Sequence, residues 1–259
     1  MEEIQLSSAL RTTLSATHQI KAHLERSQER LSTGRKDDDA RGNVAAAFVA
    51  RGLSSRASDL LAIKGSIGQG ASKAQVALTG LEAVSSTLNQ LKAVALQHQS
   101  TSNPAQQAAL QNQFNELSQQ LDNFTRDASL GGTNLISSTP DNLTIPLNES
   151  GSSSLTIDGQ PSDAATLGID ITDVTTIDAA QQQVRSAAQS IGSDASIIEL
   201  RENFTDELVN KLEEGAAKLV ETDLNEEAAN AISAQTRGSL ALAATALAAK
   251  SERAILQLF

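Results

Sequence analysis

The 259-residue sequence contains no cysteine, no tryptophan and no tyrosine, and only five phenylalanines, one methionine and four prolines. Without cysteine there is no disulfide scaffold, no thiolate metal site and no cysteine nucleophile. So few rings leave no stacking platform for nucleic-acid bases. No apolar run approaches the roughly 18 residues of a membrane-crossing helix. The opening residues, Met1-Glu2-Glu3-Ile4-Gln5-Leu6-Ser7-Ser8, have neither the basic start nor the apolar stretch of a secretory signal. Taken alone, these absences point to a cytoplasmic protein without membrane insertion.

Alanine (40) and leucine (32) fill the apolar positions, while serine (30) and threonine (20) dominate the uncharged polar ones. This composition suits closely packed helices. The net charge of −11 is unevenly spread: residues 1–100 carry 12 basic and 9 acidic groups, residues 101–198 carry 2 and 11, and residues 199–259 carry 6 and 11. A chain this acidic is a poor general ligand for nucleic acid or an anionic membrane.

All four prolines lie between Pro104 and Pro161, so both flanks are free to form long helices. Every seventh residue from Leu53 is apolar: Leu60, Ile67, Ala74, Leu81, Leu88 and Ala95 follow. Ile63, Ala77, Val84 and Leu91 form the companion row, with Gly70 as a gap. A heptad sustained over about 45 residues predicts a left-handed, coiled-coil-like bundle. A gappier heptad opens the chain, with Leu6, Leu10, Ile20, Leu24 and Leu31 as anchors and Thr13, Thr17 and Ser27 between them. Gly34, Arg35, Lys36, Asp37, Asp38, Asp39, Ala40, Arg41 and Gly42 mark a charged break between the two helices.

Pro104 restarts a helix through about Arg126, with Leu110, Phe114, Leu117, Leu121 and Phe124 as its apolar stripe. After Gly131-Gly132 the texture changes. Leu143-Thr144-Ile145 and Leu155-Thr156-Ile157 flank the turn Asn148-Glu149-Ser150-Gly151, which predicts a small β-hairpin over about 142–158. Helix resumes near Asp178, and a last alanine-rich helix is expected over about 218–255. The fold class is therefore mainly α: a long antiparallel helical bundle with coiled-coil terminal arms and a small β-hairpin. Four segments are expected. They are an N-terminal arm (1–33), a spoke linker (34–43), a helical bundle with the hairpin (44–213) and a C-terminal arm (214–259).

A search for chemistry nominates no catalytic, cofactor-binding or metal-binding residue. His18 and His23 are five residues apart, about 140° around a helix, which is poor geometry for shared chelation. Asp37-Asp38-Asp39 lacks the alternating ligands and distal glutamate of a calcium loop and reads as a solvated or salt-bridged spoke. Gly65 to Lys73 lacks the Gly-Lys-Ser/Thr order of a phosphate loop, and the heptad runs through it. The sequons at Asn123, Asn142, Asn148 and Asn203 are expected by chance in a Ser/Thr-rich chain.

Several segments together carry a family likeness. Glu29-Arg30-Leu31-Ser32-Thr33-Gly34-Arg35-Lys36 resembles the end of the first helix of bacterial flagellin, and Arg56-Ala57-Ser58-Asp59-Leu60 and Leu81 to Gln97 continue the match. Leu143 to Gly159 is similar to the hairpin of short flagellins. Asn225-Glu226-Glu227-Ala228-Ala229, Ala234-Gln235-Thr236-Arg237 and Ile255-Leu256-Gln257-Leu258-Phe259 resemble the flagellin C-terminus. The texture is nearest to alphaproteobacterial forms without large outer domains. Asp37 to Asn43 departs from the usual flagellin segment, which leaves the detail of the spoke contacts open.

The resemblance implies a subunit that polymerises into the extracellular flagellar filament. It implies export through the flagellar type III channel, an export chaperone on the C-terminal arm, and hook-associated and cap proteins as neighbours. A hook–filament junction protein of the same family and an intracellular coiled-coil scaffold are the alternatives. Leu6, Leu10, Ile20, Leu24, Leu31, Leu240, Leu247, Ile255, Leu256, Leu258 and Phe259 are expected at subunit contacts. A helical patch read by a vertebrate Toll-like receptor in many flagellins aligns with Leu88 to Lys92. Gln90 there replaces the key arginine and Lys92 follows it. The heptad supports assembly independently, because an isolated helix with few apolar anchors is marginal in water until its face is packed.

Overall fold

The computed structural model describes the backbone of residues 8–36 and 44–256 and the side chains of residues 11–36 and 44–251. Eight elements follow in order. They are α1 (Ser8–Thr33), α2 (Val44–Ser100), α3 (Pro104–Asp127), β1 (Leu143–Pro146), β2 (Ser154–Ile157), α4 (Ala164–Leu167), α5 (Val174–Val220) and α6 (Leu224–Leu256). The fold is mainly α with one small hairpin. At 57 residues, α2 alone spans about 85 Å. The chain divides into two compact units: Met1–Ser54 with Leu212–Phe259, and Ser55–Lys211. The division falls within α2 and α5, so each of these helices contributes to both units.

The second unit owes its interior to the heptad. Leu60, Ile67, Ala74, Leu81, Leu88 and Ala95 are all buried on α2, as are Ala77, Val84 and Leu91 of the companion row. A matching row on α5 (Ile177, Ala180, Val184, Ala187, Ile191 and Ile198) is buried with them, and Phe114 and Leu121 come from α3. Asn103 caps α3, accepting the Ala105 N–H at 3.0 Å, and Pro104 takes the first helical position, where its missing N–H costs nothing.

The gap in the heptad is a seat for the hairpin. A Cβ at Gly70 would run into the Ile145 side chain, so β1 lowers Ile145 into the notch that only glycine leaves open. Gly80 receives Ile136 and Ala128 in the same way. The strands pair antiparallel with Leu143 opposite Ile157 and Ile145 opposite Leu155. Leu143, Ile145 and Ile157 point inward, while Thr144 and Thr156 face each other outside at 3.3 Å. Asn134 ties the hairpin approach to α3. Its amide donates to the Thr125 and Arg126 carbonyls, and its oxygen accepts the N–H groups of Ile136 and Ser137.

Three boundaries differ from the sequence expectation. Helix α5 starts at Val174 rather than near Asp178, because Asp173 caps it, accepting the Thr175 N–H at 2.9 Å. The one-turn helix α4, capped by Asp163 and closed by left-handed Gly168, was not foreseen. The break before the last helix falls at Glu221-Thr222-Asp223, not near 218. Asp223 starts α6 by accepting the Asn225 N–H at 2.8 Å. Alanine and leucine continue on both sides of that break, so hydrophobic patterning passes over it. An aspartate three residues before Glu226 was the available signal.

Candidate assembly interface

The first unit is built on the pairing of α1 with α6. Thr13, Thr17, Ile20, Leu24 and Leu31 are half-buried on α1 and Ser27 is buried. On α6 the inward row is Glu227, Ala231, Ala234, Gly238, Ala241, Thr245 and Ala248, a heptad of small residues headed by one acid. Two seam hydroxyls are satisfied within their own helices: Thr17 donates to the Thr13 carbonyl at 2.8 Å and Thr245 to the Ala241 carbonyl at 2.7 Å. The small residues let the backbones approach, and a Cβ at Gly238 would lie 3.6 Å from Ile20.

Glu227, only 5% exposed, anchors the seam. Its Oε1 accepts from Arg30 Nη1 at 2.9 Å. Arg30 beside it, then Ser27 and Asn230, hold this carboxyl below the ordinary glutamate range against the opposing push of burial. The other oxygen, Oε2, is buried without a hydrogen-bond partner. An open groove of 450 Å³ alongside is lined by His23, Arg26 and Arg237 among others.

The spoke residues within the described part form a backbone clasp. Gly34 adopts a left-handed conformation (φ +71°) and its carbonyl accepts the Thr222 N–H at 3.0 Å. Arg35 pairs with Glu221 as an antiparallel bridge. The Lys36 N–H donates to the Val220 carbonyl at 2.7 Å, and its Nζ reaches the Lys218 carbonyl at 3.4 Å. The linker after α1 is thus tied to the joint between α5 and α6. Sequence reasoning located the linker but not its partner, whose residues Glu221-Thr222-Asp223 resemble ordinary helix surface.

The expected subunit-contact residues fall into three groups. Ile20, Leu24 and Leu31 lie in the α1–α6 seam of one chain. Leu240 and Leu247 point outward, 65% and 70% exposed, and Ile232 and Leu242 join them at 65% and 62%. Leu6, Leu10, Ile255, Leu256, Leu258 and Phe259, with Asp37, Asp38, Asp39 and Arg41 of the spoke, lie outside the described side chains. Val44, Phe48 and Val49 at the start of α2, and Leu200 and Phe204 on α5, are exposed as well. Each exposed leucine forgoes about 1.5–3 kcal/mol of burial. Gln90 is exposed on α2, while Lys92 Nζ pairs with Asp178 Oδ1 at 2.5 Å. Among the described residues, no helix is long and apolar enough to cross a membrane, and no group of three or more metal-ligating side chains occurs.

These features define a class: a helical structural subunit that pairs segments from its two chain ends and leaves apolar residues on their outer surface uncovered. The family model for the bacterial flagellin N-terminal helical region matches residues 4–140, more than half of the chain. Flagellin FljM of Caulobacter vibrioides is 29% identical over 270 aligned positions, covering 100% of this chain and 99% of the relative. A flagellin of Brucella melitensis is 24% identical over 281 positions, covering 100% and 99%. A crystal structure of Bacillus cereus flagellin aligns with 56% of this chain and 86% of its own, at 17% identity and a TM-score of 0.41. The chain belongs to the bacterial flagellin family, in its short alphaproteobacterial form.

Proposed function

We propose that this chain is the structural subunit of an extracellular flagellar filament, polymerising through its terminal arms. The observation that carries the reading is α6, which turns Ile232, Leu240, Leu242 and Leu247 to solvent along a helix otherwise packed through alanines. In a helical polymer these side chains are covered by neighbouring subunits, and repeated head-to-tail contacts extend without closure. Correspondence with proteins named flagellins over 99% of their length favours this over a hook–filament junction role.

Around this core reading stand the finer partners. Export runs through the flagellar type III channel, a chaperone covers the C-terminal arm, centred on 220–259, before export, and hook-associated and cap proteins bound the filament. An arm seam of small residues suits a segment that threads a channel and orders on assembly. Gln90 in place of an arginine gives weak activation of the vertebrate receptor, measurable with purified monomer on reporter cells.

The test is electron microscopy after an assembly trial. The full chain forms long filaments alone. A chain lacking residues 1–30 or 220–259 stays a helical monomer by circular dichroism and forms none. Normal filaments from either truncation would refute the reading.

A further inference from the structure

Helix α6 inverts the usual rule by burying alanine and exposing leucine. Ala231, Ala234 and Ala241 face α1, while Ile232, Leu240, Leu242 and Leu247 face out. The outward side also carries Ala229, Ala243, Ala244 and Ala246, so small residues occur all round the helix and hydrophobic patterning does not choose a face. By burial alone the leucines belong inside. Something other than apolar area holds the helix in its observed rotation.

Two features of the seam are one-sided. Gly238 admits Ile20 at close range, and Glu227 is buried against Arg30. We propose that the Arg30–Glu227 pair is a rotational lock: it selects which face of α6 meets α1 and thereby keeps Ile232, Leu240, Leu242 and Leu247 outward. Turning α6 by half a revolution would carry Glu227 to solvent and take Arg30's carboxylate partner away. It would also bring the larger Leu240 side chain against Ile20, where a Cβ at position 238 would already be in van der Waals contact. A buried polar pair that chooses among alternative packings is a known use of such pairs. The lock is a property of one chain. Its purpose, presenting the leucines to a neighbour, rests on the filament reading above.

The absence of cysteine allows a clean test. In the full chain, Ile20→Cys is combined with Gly238→Cys on the inward face or Leu240→Cys, about 200° around the helix. Disulfide yield then reports which face meets α1. With Arg30 and Glu227 intact, the 20–238 product dominates. Glu227→Leu lowers the ratio of 20–238 to 20–240 product at least about tenfold, and the swap Arg30→Glu with Glu227→Arg restores it. An unchanged ratio in Glu227→Leu overturns the lock, because the clasp at 34–36 and 220–222 then sets the face by itself. Loss of both products together also overturns it, since the pair would then hold the arms together without choosing a face. So does a swap that fails to restore the ratio. Filament formation is scored separately: a native ratio in a chain that never polymerises counts against the filament reading and leaves the lock standing.

Discussion

The interior of Ser55–Lys211 is dominated by isoleucine, leucine, valine and phenylalanine, interleaved with alanine, whereas α6 brings to the α1–α6 seam of the other unit only alanine, glycine, threonine and one glutamate. The first arrangement closes a large apolar interior within one chain, although Leu200 and Phe204 stay exposed on α5. The second leaves Ile232, Leu240, Leu242 and Leu247 outward on α6 and Val44, Phe48 and Val49 outward at the start of α2. Large residues inside make the first unit, and small residues on the inner face of α6 leave its large ones at the surface.

The most disruptive way to probe that contrast is Leu88→Ala, which empties a fully buried heptad position and lowers the stability of the Ser55–Lys211 unit by about 2–5 kcal/mol in chemical denaturation. Next comes Gly70→Ala. Its methyl collides with Ile145, so the hairpin lifts or α2 shifts at about 1–3 kcal/mol. Backbone hydrogen exchange from 143 to 157 rises accordingly, and unchanged protection would show that Ile145 yields freely. Asn134→Ala leaves the Ile136 and Ser137 N–H groups without their acceptor and costs about 1–3 kcal/mol.

Acid sharpens the comparison from the other side. Glu227 has a folded-state pKa below its ordinary value of 4.5, so its contribution is full above that pH and fades as pH falls through the depressed value. Protection of α1 and α6 declines through that window, and Glu227→Gln removes this part of the acid dependence. The smallest effect on the monomer is Leu247→Ala. This exposed truncation shifts stability by less than about 0.5 kcal/mol yet lowers filament yield, the reverse of Leu88→Ala.

Much of this was legible beforehand where residues repeat. The α2 heptad, the Pro104 restart and the hairpin strands sit where their spacing places them, because large apolar residues at fixed intervals admit one burial pattern. The seam was half legible. Leu24 and Ile20 marked α1, but α6 carries alanines on all sides, so no periodicity distinguishes its inner row. Gly34 marked one side of the clasp, but its partner Val220–Thr222 was not legible, because it is joined through backbone groups that any residue supplies. Gly70 looked like a defect in the repeat, and only its neighbour in space, Ile145, shows it to be a fitted position.

That notch also sets where the molecule can grow. The last paired rung of the hairpin is Pro146 with Ser154, and the chain between them turns through Asn148 to Gly151 well past Ile145. A peptide spliced between Ser150 and Gly151 lengthens the turn without lifting Ile145 from its seat. The turn keeps one tie to α2, where Glu149 Oε1 accepts from Arg56 Nε at 2.7 Å, so an insert there loads that surface pair and leaves the buried seat alone.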